Sequence, residues 1–202
     1  MQSIEQELQQ NIEEAAAAFQ KFPWEDKSAY INWLSQTYFY VRHTTCFLAL
    51  TASRWGVENR SMQYRALAHL KEELSHDLLI LEDLKALGVS IETQQEWPET
   101  QAFYQTQYYW IEHVTPAAHL GYAYVLEGMA AHKAADAYKR VIKAHGEKAG
   151  KFLRVHAEED PHHVEEGFKT LKQLSEKEIE SFRQCMKQTT LLYKQILNKA
   201  KG

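Results

Sequence analysis

The amino-acid sequence predicts an all-α fold, a single-domain bundle of about seven helices over residues 1–202. Three observations support this fold class. Helix-favouring Ala, Leu, Gln, Glu and Lys dominate the chain, whereas Gly and Pro number only 8 and 4. Apolar residues recur at helical spacing along most of the chain. No segment alternates apolar and polar residues as a half-buried strand does, and no repeat or linker divides the sequence.

Composition and charge narrow the classes of function. A chain of 202 residues with 45% hydrophobic and 25% charged residues is typical of a globular domain with a sizeable core. The net charge of -4 and the lack of a long basic run argue against nucleic acid or an anionic membrane as the main partner. Cys46 and Cys185 lie far apart, which indicates packing thiols in a reducing compartment. Without a signal-like N-terminus or a run of about 18 apolar residues, we expect a cytoplasmic protein.

Residue types that start and stop helices delimit the first two helices. Residues 2–20 carry apolar side chains at helical spacing and precede Pro23, which predicts a break. Residues 28–55 follow as one long helix, with Ser28 as the predicted N-cap and Gly56 as the predicted stop.

Residues 60–87 form the third predicted helix and carry the first metal-ligand motif. Its predicted buried stripe is Leu67, Leu70, Leu74, Leu78 and Leu81. Glu73 and His76 form a Glu-x-x-His pair, which supplies ligands in helical carboxylate di-metal proteins. On a helical wheel Glu72 points about 100° further from the core, so Glu73 is the preferred ligand. His69 shares the face of His76 and is either a hydrogen-bond partner of a ligand or a substitute ligand. The alternative for the whole motif is a surface helix stabilised by Glu–Lys pairs.

The middle of the chain contains one isolated acid. A loop at residues 89–98 leads to an aromatic-rich helix at 99–113, and the most apolar segment follows at 117–131. Glu127 is the only acid in that segment. A lone buried carboxylate is costly unless it is paired or bound to a metal. Glu127 is therefore either a metal ligand or half of a buried salt bridge, with Arg42 as a candidate partner.

The second metal-ligand motif follows a basic, Ala-rich helix at residues 134–146. It reads His-x3-Asp-x2-His and consists of His156, Asp160 and His163. Spacings of four and three residues place these side chains within about 60° of one another on a helix. Two imidazoles and a carboxylate on one face suit a first-row transition metal. The alternative is a solvated helix face rich in Glu and His. Pro161 lies within the motif and predicts a kinked or loosened helix.

The last predicted helix begins at a capping box of Ser175 and Glu178 and runs to about Asn198. In a capping box, each of the two residues accepts a backbone N–H of the other through its side chain. This is the clearest helix start in the sequence.

Three helices together offer three imidazoles and three carboxylates. The candidate metal ligands are Glu73, His76, Glu127, His156, Asp160 and His163. One ion rarely needs six protein ligands, but two ions that share a bridging carboxylate use such a set. Carboxylates with imidazoles suit iron or manganese better than structural zinc, which favours thiolates. We therefore expect two Fe(II) ions per chain, with Mn as the alternative, and no catalytic residue beyond the ligands.

These motifs resemble those of the haem-oxygenase-like di-iron oxidases and oxygenases, also called iron-containing redox enzymes and related in fold to TenA- and PqqC-like proteins. The resemblance covers about residues 38–174 and is carried by EELSHD at 72–77, YVLEG at 124–128 and HAEEDPHH at 156–163. It implies a haem-oxygenase-like bundle in which the six candidate residues bind two irons.

The same resemblance implies an O2-dependent reaction. The expected substrate is a small amino acid, amine or fatty acid, and the expected outcome is C–C cleavage, N-oxygenation or desaturation. One departure concerns the first motif: some members place a carboxylate seven residues before its histidine, where this chain has His69. The first acid is therefore either Glu72 or Glu73.

The expected partners are a small-molecule substrate, O2 and a second copy of the chain in a homodimer. Side chains that could bind the substrate are Tyr38, Tyr40, Arg42, Arg54, Arg65, Tyr122 and Tyr124.

Three other functions remain as alternatives. A haem oxygenase needs a proximal histidine in its first helix, and residues 2–20 contain none. A TenA-like thiaminase needs a nucleophilic thiol beside an acid, for which Cys46 is the candidate. A non-catalytic metal-binding protein would keep the ligands without consuming O2.

Overall fold

Within residues 3–202, nine α-helices are joined by short 3₁₀ segments and one π-helical turn at Trp110–Val114. The computed structural model describes these residues apart from the side chains of residues 159–168. The predictions for Asp160, Pro161 and His163 therefore lie outside the described residues. The helices are α1 (Ile4–Gln20), α2 (Lys27–Val41), α3 (Thr44–Trp55), α4 (Arg60–Glu72), α5 (His76–Ala86), α6 (Pro98–Tyr109), α7 (His119–His145), α8 (Lys151–Leu171) and α9 (Glu176–Ala200). Residues 3–202 contain no strand, so the all-α prediction is confirmed.

The predicted helix over residues 28–55 is in fact two helices, α2 and α3, which meet at Arg42 and His43. The His43 ring stacks on Tyr104 of α6 at 4.1 Å between centroids, and this contact holds the bend against α6. The predicted stop at Gly56 is confirmed, because α3 ends there with a φ of 62° that favours glycine.

The predicted N-cap of α2 is wrong. Asp26, rather than Ser28, caps the helix: its Oδ1 accepts the backbone N–H groups of Ser28 and Ala29 at 2.8 and 2.9 Å. A carboxylate also faces the positive end of the helix dipole, which makes Asp26 the better cap.

The predicted helix over residues 60–87 is also two helices. Glu73, Leu74 and Ser75 separate α4 from α5, and Ser75 adopts the left-handed region at a φ of 73°. A left-handed residue cannot continue a right-handed helix, so the chain changes direction here. Glu73 thus ends one helix and His76 begins the next.

The predicted leucine stripe is wrong for three of its members. Leu67, Leu74 and Leu78 are exposed by 45%, 56% and 50%. The buried apolar residues of α4 and α5 are Met62, Ala66, Ile80 and Leu84. The leucine positions follow one continuous helical wheel, whereas the break at residues 73–75 gives each helix its own buried face.

Helix α7 is the central element. It joins the two predicted segments at 117–131 and 134–146 and packs against α1, α8 and α9. Gly121 and Gly128 allow this close packing: a Cβ on Gly121 would lie 2.6 Å from the Phe182 carbonyl oxygen, and one on Gly128 would lie 2.5 Å from Ile12 Cδ1. Both glycines therefore lie where a neighbouring helix leaves no room for a side chain.

The end of the chain follows the prediction. Ser175 and Glu178 form the capping box that begins α9. Both cysteines are free. Cys185 is buried, as predicted for a packing thiol, whereas Cys46 is exposed and the prediction is wrong for it. Among the described helices, none has a long enough apolar run to cross a lipid bilayer.

Candidate metal centre

Two imidazoles and a carboxylate converge where α4, α5 and α8 meet. One potential ligand atom from each of Glu73, His76 and His156 lies within 4.8 Å of the other two. Glu73 Oε2 is 3.1 Å from His76 Nδ1, and the rings of His76 and His156 are 5.0 Å apart. The three residues come from two separate sequence motifs, so the fold brings the motifs together.

A third imidazole connects this trio to α7. His69 Nε2 lies 3.5 Å from Glu73 Oε1 and 3.3 Å from Glu127 Oε1. All of these side chains are largely withdrawn from solvent, and His76 and Glu127 are each only 8% exposed. We call the set the carboxylate–histidine cluster; its members are His69, Glu73, His76, Glu127 and His156.

The break between α4 and α5 gives the first motif its geometry. Glu73 follows the last residue of α4, and the left-handed Ser75 precedes His76 at the start of α5. The two side chains therefore approach each other across a turn, rather than along a continuous helix as the sequence predicts.

A buried carboxylate fixes the position of α8. Asp83 of α5 accepts the backbone N–H groups of Lys151 and Phe152 at 2.9 and 3.0 Å. These are the first two residues of α8, so Asp83 caps the helix that carries His156. Burial raises the pKa of Asp83 to about 6, although these two hydrogen bonds lower it. Since α5 begins with His76, Asp83 ties together the two helices that carry His76 and His156.

The ring of His156 is oriented by its own helix. Its Nδ1 lies 2.9 Å from the backbone oxygen of Phe152. A carbonyl oxygen only accepts, so Nδ1 donates to it and Nε2 is the ring nitrogen left to face another partner. Metal-binding histidines commonly hold their second nitrogen in this way.

The Glu73 carboxylate is ionised. Burial by itself would raise the pKa of Glu73, but hydrogen bonds from His69 and His76 and the nearby His156 outweigh it and hold the pKa well below its usual range. Glu72 is exposed. Of the two acids left open for the first motif, only Glu73 belongs to the cluster.

The predicted ligands are thus brought together as far as the structure describes them. Glu73, His76 and His156 meet directly, and Glu127 joins them through His69. Arg42 does not pair with Glu127 as the sequence suggested. Its guanidinium lies 3.6 Å from the carboxylate oxygen Oε2 of Glu96. The role of all six residues as metal ligands stays a prediction.

His69 is the residue whose place the sequence left undecided. Its spacing of seven residues from His76 showed only that the two share a helical face. Its contact with Glu127 joins residues 58 positions apart and depends on how α7 packs against α4.

A cavity of about 90 Å³ opens beside the cluster. One water needs only about 10–15 Å³, so the cavity has room for a small organic molecule. His69, Glu73, Glu127 and His156 line it together with a mostly apolar wall, which includes Trp33, Tyr40, Leu48, Tyr122, Leu126 and Phe152. The described lining contains no Lys, Arg or Cys.

Only some of the side chains predicted to bind the substrate line this cavity. Tyr40 and Tyr122 line the cavity, and Tyr38, Tyr124 and the three candidate arginines do not belong to its described lining. Arg54 instead donates to the Glu112 backbone oxygen. Arg65 lies over the Tyr124 ring.

Another buried histidine lies on the cavity wall. His119 Nδ1 lies 3.3 Å from Gln107 Oε1, and the ring stacks on Tyr122 at 5.3 Å. Cys185 Sγ also lies 3.5 Å from Gln107 Oε1, which identifies that atom as a shared acceptor. Burial lowers the pKa of His119 to about 3, with a smaller contribution from the nearby His69. His119 is therefore a neutral imidazole that donates through Nδ1.

Comparison with known proteins identifies the family. A family model described as an iron-containing redox enzyme matches residues 31–194, which is most of the chain. The chain belongs to the iron-containing redox enzyme family. The resemblance inferred from the motifs is thereby confirmed. No curated protein sequence gives a significant match.

Solved structures share the fold of this iron-containing redox enzyme family member. A domain of unknown function with a heme oxygenase-like fold from Shewanella denitrificans superposes with a TM-score of 0.82 at 20% identity, over 95% of this chain and 89% of that one. A TenA homologue from Pseudomonas syringae gives 0.82 at 16% identity, over 98% and 92%. A TenA homologue from Pyrococcus furiosus gives 0.76 at 15% identity, over 98% and 100%. The predicted haem-oxygenase-like fold is confirmed.

The donor set of the cluster fits the metal that the family description names. Imidazole nitrogens with carboxylate oxygens are common ligands of non-haem iron, and neither cysteine belongs to the cluster. The family thus gives a general oxidoreductase assignment, and the cluster gives that assignment a candidate metal site.

Proposed function

We propose that this protein is a non-haem oxidoreductase that binds two Fe(II) ions in the carboxylate–histidine cluster and uses O2 to oxidise a small organic substrate. One observation carries the proposal: in a member of an iron-containing redox family, Glu73, His76 and His156 converge beside an apolar cavity. The proposed ligands are Glu73, His76, Glu127 and His156 of the cluster, together with Asp160 and His163 from the second motif. Manganese is the alternative metal, because it accepts the same oxygen and nitrogen donors.

The residues of the cluster would hold the metal as follows. His156 offers Nε2, since its Nδ1 donates to the Phe152 backbone. Glu73 is already ionised and needs to lose no proton on metal binding. When bound, reduced iron supplies electrons to O2.

The remaining residues prepare the site for the substrate. The apolar wall, with Trp33, Leu48 and Phe152 among its members, keeps water away from the reacting atoms. Tyr40, Tyr122 and Tyr193 contribute the phenol groups of the described lining. His119, held by Gln107, keeps its uncharged form and adds no positive charge to the cavity.

The cavity favours a substrate with an apolar body. No cationic side chain belongs to the described lining, so a substrate carboxylate would bind at the metal rather than at an arginine. This is compatible with the three substrate types that the family resemblance implies: amino acids, amines and fatty acids. The expected outcomes remain C–C cleavage, N-oxygenation or desaturation.

The cavity also separates this proposal from a TenA-like activity. A thiol nucleophile must reach the substrate, and Cys46 is exposed while Cys185 is buried, with neither in the described lining. The similarity to TenA homologues supports the fold, and the described lining offers no thiol for a TenA-like reaction.

The test is anaerobic loading with Fe(II), followed by exposure to O2 in an oxygen electrode. We expect saturable binding approaching two Fe(II) per chain and O2 uptake faster than that of the same Fe(II) in buffer. Products from candidate acids and amines are then identified by mass spectrometry.

The matched variants are His156→Gln and His132→Gln, because His132 is exposed and lies outside the cluster. His132→Gln should behave as wild type, and His156→Gln should lose the protein-dependent O2 uptake. O2 uptake equal to that of free Fe(II), and unchanged in His156→Gln, would refute the proposed function.

A further inference from the structure

We propose that His69 is itself a metal ligand, paired with Glu127, and that Glu73 bridges two metal positions. The proposal rests on the proposed function, and it adds a residue that the two sequence motifs leave undecided. It divides the cluster into two ligand groups that share Glu73. One group contains His76 and His156, and the other contains His69 and Glu127.

The first argument is the spacing of the donor atoms. Two ligands that bind one divalent first-row ion at about 2.1 Å and at right angles lie about 3.0 Å apart. His69 Nε2 is 3.3 Å from Glu127 Oε1 and 3.5 Å from Glu73 Oε1. The His69 nitrogen therefore already lies close to the separation that two neighbouring ligands of one ion require.

The second argument is the use of both Glu73 oxygens. Oε1 faces His69, whereas Oε2 is 3.1 Å from His76 Nδ1. The two oxygens thus point to different imidazoles, on different helices. A carboxylate arranged in this way is suited to bind one ion with each oxygen, which is how a bridging carboxylate joins two metals.

The third argument concerns charge. The second group brings together the carboxylates of Glu73 and Glu127, both largely buried, with one imidazole. Two carboxylates that approach each other away from water are stabilised by a cation beside them. A metal ion bound by His69, Glu73 and Glu127 would supply that charge, whereas in a purely structural role His69 would only hydrogen-bond the two carboxylates. The two cases predict different behaviour when the imidazole is replaced by an amide.

The experiment compares wild type with His69→Gln, His69→Glu and His132→Gln. Gln keeps N–H donors for both carboxylates but is a poor metal ligand, whereas Glu restores a strong ligand without the donors. Each protein is titrated anaerobically with Co(II), followed by equilibrium dialysis and by visible absorbance. Circular dichroism and thermal unfolding of the metal-free proteins report the fold.

If His69 is a ligand, wild type and His132→Gln bind two Co(II) per chain. His69→Gln still binds one Co(II) tightly. Its affinity for the second Co(II) falls by about tenfold or more, with a matching loss of visible absorbance. His69→Glu recovers two equivalents with an altered spectrum.

Several results would overturn the assignment. Two Co(II) equivalents and an unchanged spectrum in His69→Gln would show a structural role, as would loss of the fold in both His69 variants. A wild type that binds one Co(II) would refute the bridged pair. These outcomes differ from failure of the proposed function, in which the wild type binds no metal or shows no protein-dependent O2 uptake.

Discussion

Histidines of the carboxylate–histidine cluster and the separate His119 line the same cavity in opposite chemical surroundings. In the carboxylate–histidine cluster, His69 contacts the carboxylates of Glu73 and Glu127. His119, which lines the same cavity, contacts the neutral amide of Gln107, and burial lowers its pKa to about 3. His69 and His119 are both largely withdrawn from solvent. The hydrogen-bond partner of an imidazole, rather than its burial, therefore decides whether it belongs to a candidate metal site. The carboxylates of Glu73 and Glu127 contact several imidazoles, whereas the amide of Gln107 contacts the single neutral ring of His119.

The largest expected effect comes from removing the shared carboxylate. Glu73→Gln should weaken binding of both metal equivalents by about 100-fold or more, because Glu73 contacts both His69 and His76. Glu72→Gln is the matched control, since the exposed neighbour should leave metal binding unchanged. Isothermal titration with Fe(II) under nitrogen measures both. Equal affinities in the two variants would remove Glu73 from the site.

The second prediction concerns the acid sensitivity that His119 confers. The unfolded chain binds a proton at His119 below pH of about 6.5, whereas the folded chain binds it only near pH 3. Stability should therefore fall as the pH is lowered from about 6.5 towards 3. His119→Gln can still donate to Gln107. Its decrease in the free energy of unfolding between pH 6.5 and pH 4 should be smaller than that of wild type by about 2–3 kcal/mol. Urea unfolding across this range measures it, and an identical pH profile would contradict the assignment of a neutral buried ring.

The third prediction tests how the cluster is held. Asp83→Ala removes the cap of α8 and should lower the free energy of unfolding by about 1–3 kcal/mol. It should also weaken Fe(II) binding, because Asp83 ties the His76 helix to the His156 helix. Asp83→Asn keeps one oxygen acceptor and should have the smaller effect on both. A variant that loses stability but keeps full metal affinity would show that α8 is positioned by other contacts.

The smallest expected effect lies at the helix break. Ser75 holds a φ of 73°, which costs an L-residue about 1 kcal/mol relative to glycine. Ser75→Gly should therefore unfold at an equal or slightly higher urea concentration and keep its metal affinity, while Ser75→Val should be destabilised. Were Ser75→Val as stable as wild type, the left-handed turn between Glu73 and His76 would not be the preferred conformation.

The sequence predicted what depends on local spacing. Composition and apolar periodicity were enough for the all-α class, and the capping box of Ser175 and Glu178 located the start of α9. The motif spacings selected Glu73, His76 and His156, which the fold then brings together. The first two predictions depend on positions three or four residues apart within one helix, whereas Glu73 and His76 meet across the turn at Ser75.

What the sequence could not predict depends on tertiary packing. Ser75 is not a glycine and carries no signal for a left-handed turn. Apolar periodicity therefore predicts one helix over residues 60–87 and buries Leu74 and Leu78, which the structure exposes. The bend at His43 is held by a stacked ring from α6. The contact of His69 with Glu127 exists only because α7 passes beside α4, and no spacing within either helix reveals it.

The most direct test of the central claim is diffraction at the iron absorption edge from crystals grown anaerobically with Fe(II). The account predicts two anomalous peaks per chain, one within bonding distance of His76 and His156 and one within bonding distance of His69 and Glu127, with Glu73 contacting both. Iron-edge maps without a peak at Glu73, from crystals that contain ordered protein and excess Fe(II), would contradict it.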